Sequence, residues 1–152
     1  MDYFLGIDPG KSGGIAFISE CGTEAWAHKI TDSERDFWNI VSEYKKEVKF
    51  GMIEKVHSSP QMGVRSAFTF GQSYGFLRGM LIASEIKFDQ VSPQKWMNKL
   101  NCRTGGNKNI TKAKAQQLFP KIKITHAIAD ALLIAEYCRQ TWMYIHGSES
   151  YR

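Results

Sequence analysis

Apolar residues come in short runs closed by glycine or polar punctuation over the first third of the chain, and at helical spacing beyond it. Phe4-Leu5-Gly6-Ile7 and Ile15-Ala16-Phe17 read as two strands of a hairpin, with Gly10, Gly13 and Gly14 supplying the tight backbone between them. Phe50-Gly51-Met52-Ile53 is a further short strand. Between these, Thr31-Asp32-Ser33-Glu34 opens a helix with Phe37, Ile40, Val41, Tyr44 and Val48 at its apolar spacing. A long helix runs from about Val64 to Ser84. Ser92-Pro93 opens a helix carrying Trp96 and Leu100, and Thr111 opens one carrying Leu118 and Phe119 before Pro120 stops it. These four apolar residues are expected in the core. Thr125 is the expected N-cap of a strongly apolar helix through Ala135.

Carboxylates stand at particular places in this pattern. Asp8 follows the first strand directly, and Glu54 closes the strand that begins at Phe50. Acids and glycines are ordinary turn formers, so Asp8 alone is ambiguous. Its repetition at Glu54 changes that. If the two strands lie side by side and parallel, both acids emerge at the same sheet edge, where ligand sites of open α/β sheets form. Asp130 is the only charged residue between Lys123 and Glu136. Burying it unpaired costs several kcal/mol, so it needs either solvent or a cation. His126, four residues earlier, falls on the same helical face, and one site can receive both side chains.

Charge is unevenly spread. The chain has 20 Lys and Arg against 15 Asp and Glu, a net charge of +5. No acid occurs between Asp89 and Asp130, where Lys95, Lys99, Arg103, Lys108, Lys112, Lys114, Lys121 and Lys123 all fall. Solvated lysine faces normally mix both signs, so a one-signed stretch points to a polyanion, nucleic acid first. Asn101 to Asn109 forms a flexible polar loop within it, suited to phosphates. Near Glu54, the loop from His57 to Arg65 leads into the long helix, and Arg65, Phe68 and Phe70 are placed to meet backbone or bases.

Composition adds limits. The 152 residues, 43% hydrophobic, suit one compact domain, taken as residues 1–146 with a polar, frayed tail at 147–152. No stretch has transmembrane length and no secretion signal is evident, so a soluble cytoplasmic protein without membrane partners is expected. Cys21, Cys102 and Cys138 are too scattered for a disulfide framework or zinc ribbon. Gly71, Gly75 and Gly79 repeat every four residues along the long helix. Each costs about 1 kcal/mol against alanine, which calls for close packing on the sheet or on a second subunit.

Ile7-Asp8-Pro9-Gly10, Ile53-Glu54-Lys55-Val56, Gly71-Gln72-Ser73-Tyr74-Gly75, Val91-Ser92-Pro93-Gln94-Lys95-Trp96 and Ala129-Asp130-Ala131-Leu132-Leu133-Ile134-Ala135 follow one another in the order seen in a known family. The chain resembles the RuvC Holliday-junction resolvases, especially their short bacteriophage relatives, from about Tyr3 to Tyr137. The resemblance implies an α/β, RNase H-like fold: a mixed five-stranded sheet, antiparallel hairpin strands plus parallel strands, flanked by helices. It also implies a homodimer that nicks four-way DNA junctions, and other branched DNA by extension, at two symmetry-related sites. Each site would use two Mg²⁺, with Mn²⁺ able to substitute. A phage-encoded protein would work in the host bacterial cytoplasm.

By the same resemblance, Asp8, Glu54 and Asp130 take the places of the catalytic metal ligands. His126 takes a position that in these relatives usually holds another acid, though histidine is also found near it in the wider family, with a spacing of four residues to Asp130 where the cellular enzymes use three. It is expected either to ligate a metal or to position the attacking water, and imidazole suits Mn²⁺ better than Mg²⁺. Arg65, Phe68, Lys95, Lys99, Arg103, Lys108, Lys112 and Lys114 are the expected DNA contacts. The alternative is a branched-DNA-binding protein that does not cut. A Walker A loop at Gly10-Lys11-Ser12 is excluded, because Leu5 stands where its first glycine belongs and Asp8 would face the phosphates.

Overall fold

The computed structural model describes residues 1–31 and 33–147. Asp32 and most of the expected tail, 148–152, lie outside the described residues. Ten elements follow in order: β1 (Tyr3–Asp8), β2 (Gly14–Ser19), β3 (Ala25–Lys29), α1 (Glu34–Tyr44), β4 (Val48–Glu54), α2 (Val64–Ala83), β5 (Phe88–Val91), α3 (Pro93–Lys99), α4 (Asn109–Leu118) and α5 (His126–His146). They build one five-stranded sheet in the order β3-β2-β1-β4-β5. The hairpin pairs β1 with β2 antiparallel, β3 continues antiparallel, and β4 and β5 add in parallel on the other side of β1. The register sets Ile7 beside Ile53, so the next residue of each strand, Asp8 and Glu54, leaves the sheet at the same edge.

Strand alternation divides the core in two. Leu5, Ile7, Ile15, Phe17 and Ile53 pack against Phe37 and Val41 of α1 and Leu77, Met80 and Leu81 of α2. Phe4, Ala16, Ile18 and Met52 face the other way, onto α5 with α3 and α4 alongside. Asp8 and Glu54 are in phase with Phe4 and Met52, which puts them on the α5 side. Gly6 and Gly14 decide how close that helix comes. A Cβ on Gly6 would stand 2.3 Å from the Ala135 nitrogen, and one on Gly14 2.5 Å from the Ala127 carbonyl oxygen. Any side chain there would lift α5 off the sheet and carry Asp130 away from Asp8.

Four expectations need correction. Val48 does not extend α1, which ends at Tyr44; it starts β4, where β-branched side chains fit. Thr111 does not cap α4. The N-cap is Lys108, and Thr111 is buried in the first turn with its hydroxyl donating to the Lys108 carbonyl at 3.2 Å. Leu118 is 38% exposed, unlike the buried Trp96, Leu100 and Phe119. Finally, the glycines of α2 do not pack on the sheet: a Cβ on Gly71, Gly75 or Gly79 would meet nothing within 4 Å. Val64, Phe68 and Ile82 are exposed at the same helical spacing.

Candidate active site

Three elements deliver acids to one place. Asp8 ends β1, Glu54 ends β4, and Asp130 sits one turn into α5, where Thr125 supplies an extended N-cap backbone. With His126 they line a single cavity of about 630 Å³, together with the Pro9–Gly13 turn, Lys29, Lys108 and Thr111. Gly10 has a φ of +109°, a backbone that favours glycine, which lets the turn fold back over this edge.

The electrostatics are those of uncompensated acids. Burial, then the nearby Glu54 and Asp130 carboxylates, push Asp8 up from 3.8 to about 8, and Lys108 opposes them. Burial also raises Glu54, against a hydrogen bond from Trp96. Burial raises Asp130, while Thr111, Lys108 and His126 pull it down. The single Thr111 proton serves one acceptor at a time, the Lys108 carbonyl or Asp130. Asp130 Oδ1 is buried with no hydrogen-bond partner. Glu136, the buried acid of α5, shows the ordinary remedy: Arg139 grips both its oxygens at 2.8 and 2.9 Å, and Gln140 donates at 2.7 Å.

An unpartnered buried oxygen on Asp130, beside Asp8 and Glu54 whose pKa values its charge helps to raise, is a donor set that suits a hard divalent cation. Solvent, the simpler remedy for Asp130, does not reach Oδ1. Among the described residues no three His, Cys, Asp or Glu side chains are drawn together closely enough to chelate one ion; they surround the cavity instead.

Trp96 is the partner that sequence reasoning missed. Read as core, it is fully buried, yet its Nε1 donates to Glu54 Oε2 at 2.8 Å. Lys11, Ser12 and Lys29 also line the cavity without having been singled out for it. Lysines on the turn beside an acid are a weak signal, and Lys29 reaches the cavity only because β3 pairs it with Gly14.

The expected DNA contacts are not gathered together. Of the basic segment, Lys108 alone lines the acid cavity. Lys95, Lys99 and Arg103 are exposed on α3 and the loop after it, and Lys112 and Lys114 are half-buried on α4. Arg65 belongs to the first turn of α2, not to the loop before it, and lines a neighbouring cleft. Phe68 is 66% exposed on the open face of α2 and lines neither cavity.

The architecture has solved counterparts. T. thermophilus RuvC in complex with Holliday junction substrate superposes with a TM-score of 0.64 over 97% of this chain and 98% of its own, at 13% identity. A second Thermus thermophilus RuvC structure gives a TM-score of 0.59 over 95% and 96%, at 14% identity. The chain has the RuvC, RNase H-like fold. No family model matches the sequence, and no curated protein matches it either. The likeness therefore speaks for the fold, including the mixed sheet and flanking helices expected above. None of the described helices is long and apolar enough to cross a membrane.

Proposed function

We propose that the protein is a divalent-metal-dependent endonuclease that resolves four-way DNA junctions by paired nicks, acting as a homodimer with one site per subunit. The observation that carries this reading is the convergence of Asp8, Glu54 and Asp130 on one cavity, with Asp130 Oδ1 left buried and unpartnered. The shared fold with a RuvC found in complex with Holliday junction substrate supports the substrate class.

Asp8, Glu54 and Asp130 would hold the cations, Mg²⁺ or Mn²⁺, with His126 at the rim as a fourth ligand or as the group that orients water. Bound there, two divalent ions would neutralise the scissile phosphate, activate a water and stabilise the leaving 3′ oxygen for in-line displacement. Trp96 fixes the orientation of Glu54 through its indole N–H. Lys108 offers positive charge at the cavity and offsets part of the carboxylate repulsion toward phosphate. The acid-free segment contributes Lys95, Lys99, Arg103, Lys112 and Lys114 as sequence-independent grips on the DNA arms. Arg65 and Phe68 on α2 complete the contact set.

A labelled four-way junction tests this directly. Nicks that require Mg²⁺ or Mn²⁺ and vanish with chelator, and with Asp8→Asn, are expected. Tight junction binding with no nicks under either metal would instead identify a non-cleaving branched-DNA-binding protein.

A further inference from the structure

β3 runs antiparallel to β2, and β2 antiparallel to β1, so β3 points the same way as β1 and β4. Its last residue, Lys29, therefore leaves the sheet at the edge where Asp8 and Glu54 do. The register ties them more closely: Gly14 pairs with Asp8 on one side and with Lys29 on the other. Residues paired in one row across strands share a face. Lys29 thus stands on the α5 side, in phase with Ala25 and Ala27, which pack against that core. Two strand spacings, about 10 Å, separate it from Asp8 along the row. In the order of the strands, the lining of the acid cavity runs from Lys29, past the Ser12-Gly13 turn, to Asp8 and Glu54.

We infer that Lys29 and Ser12 bind the backbone phosphate next to the scissile one on the cleaved strand. The inference rests on the nuclease reading and deepens it. Lys29 is exposed, and the ion pairs among the described residues are made by Lys49 and Arg139. Lys108 is the cation that acts on Asp8 and Asp130, which leaves the charge of Lys29 for substrate. Ser12, also exposed, adds a hydroxyl donor at the same end of the cavity. A scissile phosphate must sit over the three carboxylates, and a strand laid along the sheet edge carries its neighbour toward Lys29. There the neighbour meets donors and no acid. A grip one phosphate away from the reacting centre spends its binding energy on position, holding a diester where carboxylates repel it. Such a contact reads no base, so it serves every junction sequence alike.

The test measures coupling between Lys29 and single phosphates. Four-way junctions carry one neutral methylphosphonate each, stepped through the phosphates around the branch point, and nick positions are mapped for the wild type in Mg²⁺. Affinity is read in chelator for the wild type and for Lys29→Gln. On the unmodified junction the variant is expected to bind about threefold more weakly and to cleave about tenfold more slowly in single turnover. Neutralising one phosphate beside the nick is expected to weaken the wild type to the affinity of the variant and to leave the variant unchanged. At other positions the two losses multiply. Ser12→Ala is expected to couple to the same phosphate. Lys29 is exposed, so its variant is expected to melt with the wild type. Losses that multiply at every position, or coupling to the scissile phosphate alone, overturn the assignment. A wild type that fails to nick in metal would overturn the nuclease reading, and coupling in chelator would still tell whether Lys29 holds a phosphate.

Discussion

Trp96 Nε1 donates to Glu54 Oε2 at 2.8 Å from an indole that has no solvent exposure. The bond joins α3 to the end of β4 and holds one carboxylate oxygen in place, leaving the other for the cavity. Groups of this kind, behind a metal ligand, typically change metal affinity by about 10–100-fold when removed. Trp96→Phe keeps most of the packing and deletes the donor. We expect Mn²⁺ affinity measured by calorimetry to fall at least about tenfold, with the metal required for half-maximal cleavage rising in step. Unchanged affinity with a lowered melting temperature would mean that the indole only packs.

Asp8 makes the metal-free protein sensitive to pH in a direction opposite to that of an ion-paired acid. Its folded value, about 8, lies above its ordinary 3.8, so the folded state binds the proton more tightly than the unfolded chain. The stabilisation is fully present below 3.8 and is lost as pH rises through about 8. Thermal melts in chelator should therefore fall between pH 5 and pH 9. Asp8→Asn should flatten that fall and raise the melting temperature at pH 8.5 by roughly 5 °C. Added Mn²⁺ should stabilise the wild type and not the variant. A wild type whose chelated melting temperature rises over that range would contradict the assignment.

Glu54→Gln and Asp130→Asn should abolish cleavage, by about 10³-fold or more, while leaving junction affinity within about threefold. Removing a negative charge near phosphate cannot weaken phosphate binding. Gel shifts in chelator and single-turnover cleavage in Mg²⁺ separate the two effects. Loss of binding in these variants would place the acids in the DNA interface or the fold.

Binding by the basic segment should depend steeply on salt. For each of Lys95→Ala, Lys99→Ala and Lys112→Ala, the slope of log affinity against log salt should shrink by about one, with little change between junctions of different sequence. Slopes that match the wild type would remove those lysines from the contact surface.

The open glycine face of α2 tests the dimer. A Cβ at Gly75 meets nothing within the subunit, so Gly75→Ala should stabilise an isolated monomer by about 1 kcal/mol through helix propensity alone. In a dimer closed on this face the same methyl intrudes between helices. Sedimentation should then show dissociation of Gly75→Leu at concentrations where the wild type is dimeric. Identical association states for both would put the dimer contact elsewhere.

Much of this site is visible in the sequence because strand chemistry is local. An acid directly after Phe4–Ile7 and another directly after Phe50–Ile53 reach the same edge once the strands pair in parallel; the short apolar runs give the strands and the acids, and the sheet supplies the pairing. Asp130 is visible because nothing else on its stretch of helix is charged. Partnerships made across the fold are not visible. Trp96 and Glu54 are 42 residues apart, and a tryptophan at helical spacing reads as core, which it also is. Val48 fits the helical spacing of α1, yet the helix ends at Tyr44 and Val48 pairs with Tyr3 as the first residue of β4. The glycines of α2 mislead in another way: their spacing announces a close approach, and within one subunit there is none. Gly6 and Gly14, which carry no such pattern, are where α5 does lie against the sheet.

The central claim, that Asp8, Glu54 and Asp130 act together as a cation site, is tested most directly by a crystal grown with Mn²⁺ and measured at a wavelength where manganese scatters anomalously. Anomalous density is expected within coordinating distance of all three carboxylates, with the side chains drawn inward from their spacing around the cavity. A map with the protein well ordered and no such peak at these side chains, at a Mn²⁺ concentration that supports any cleavage, would contradict it.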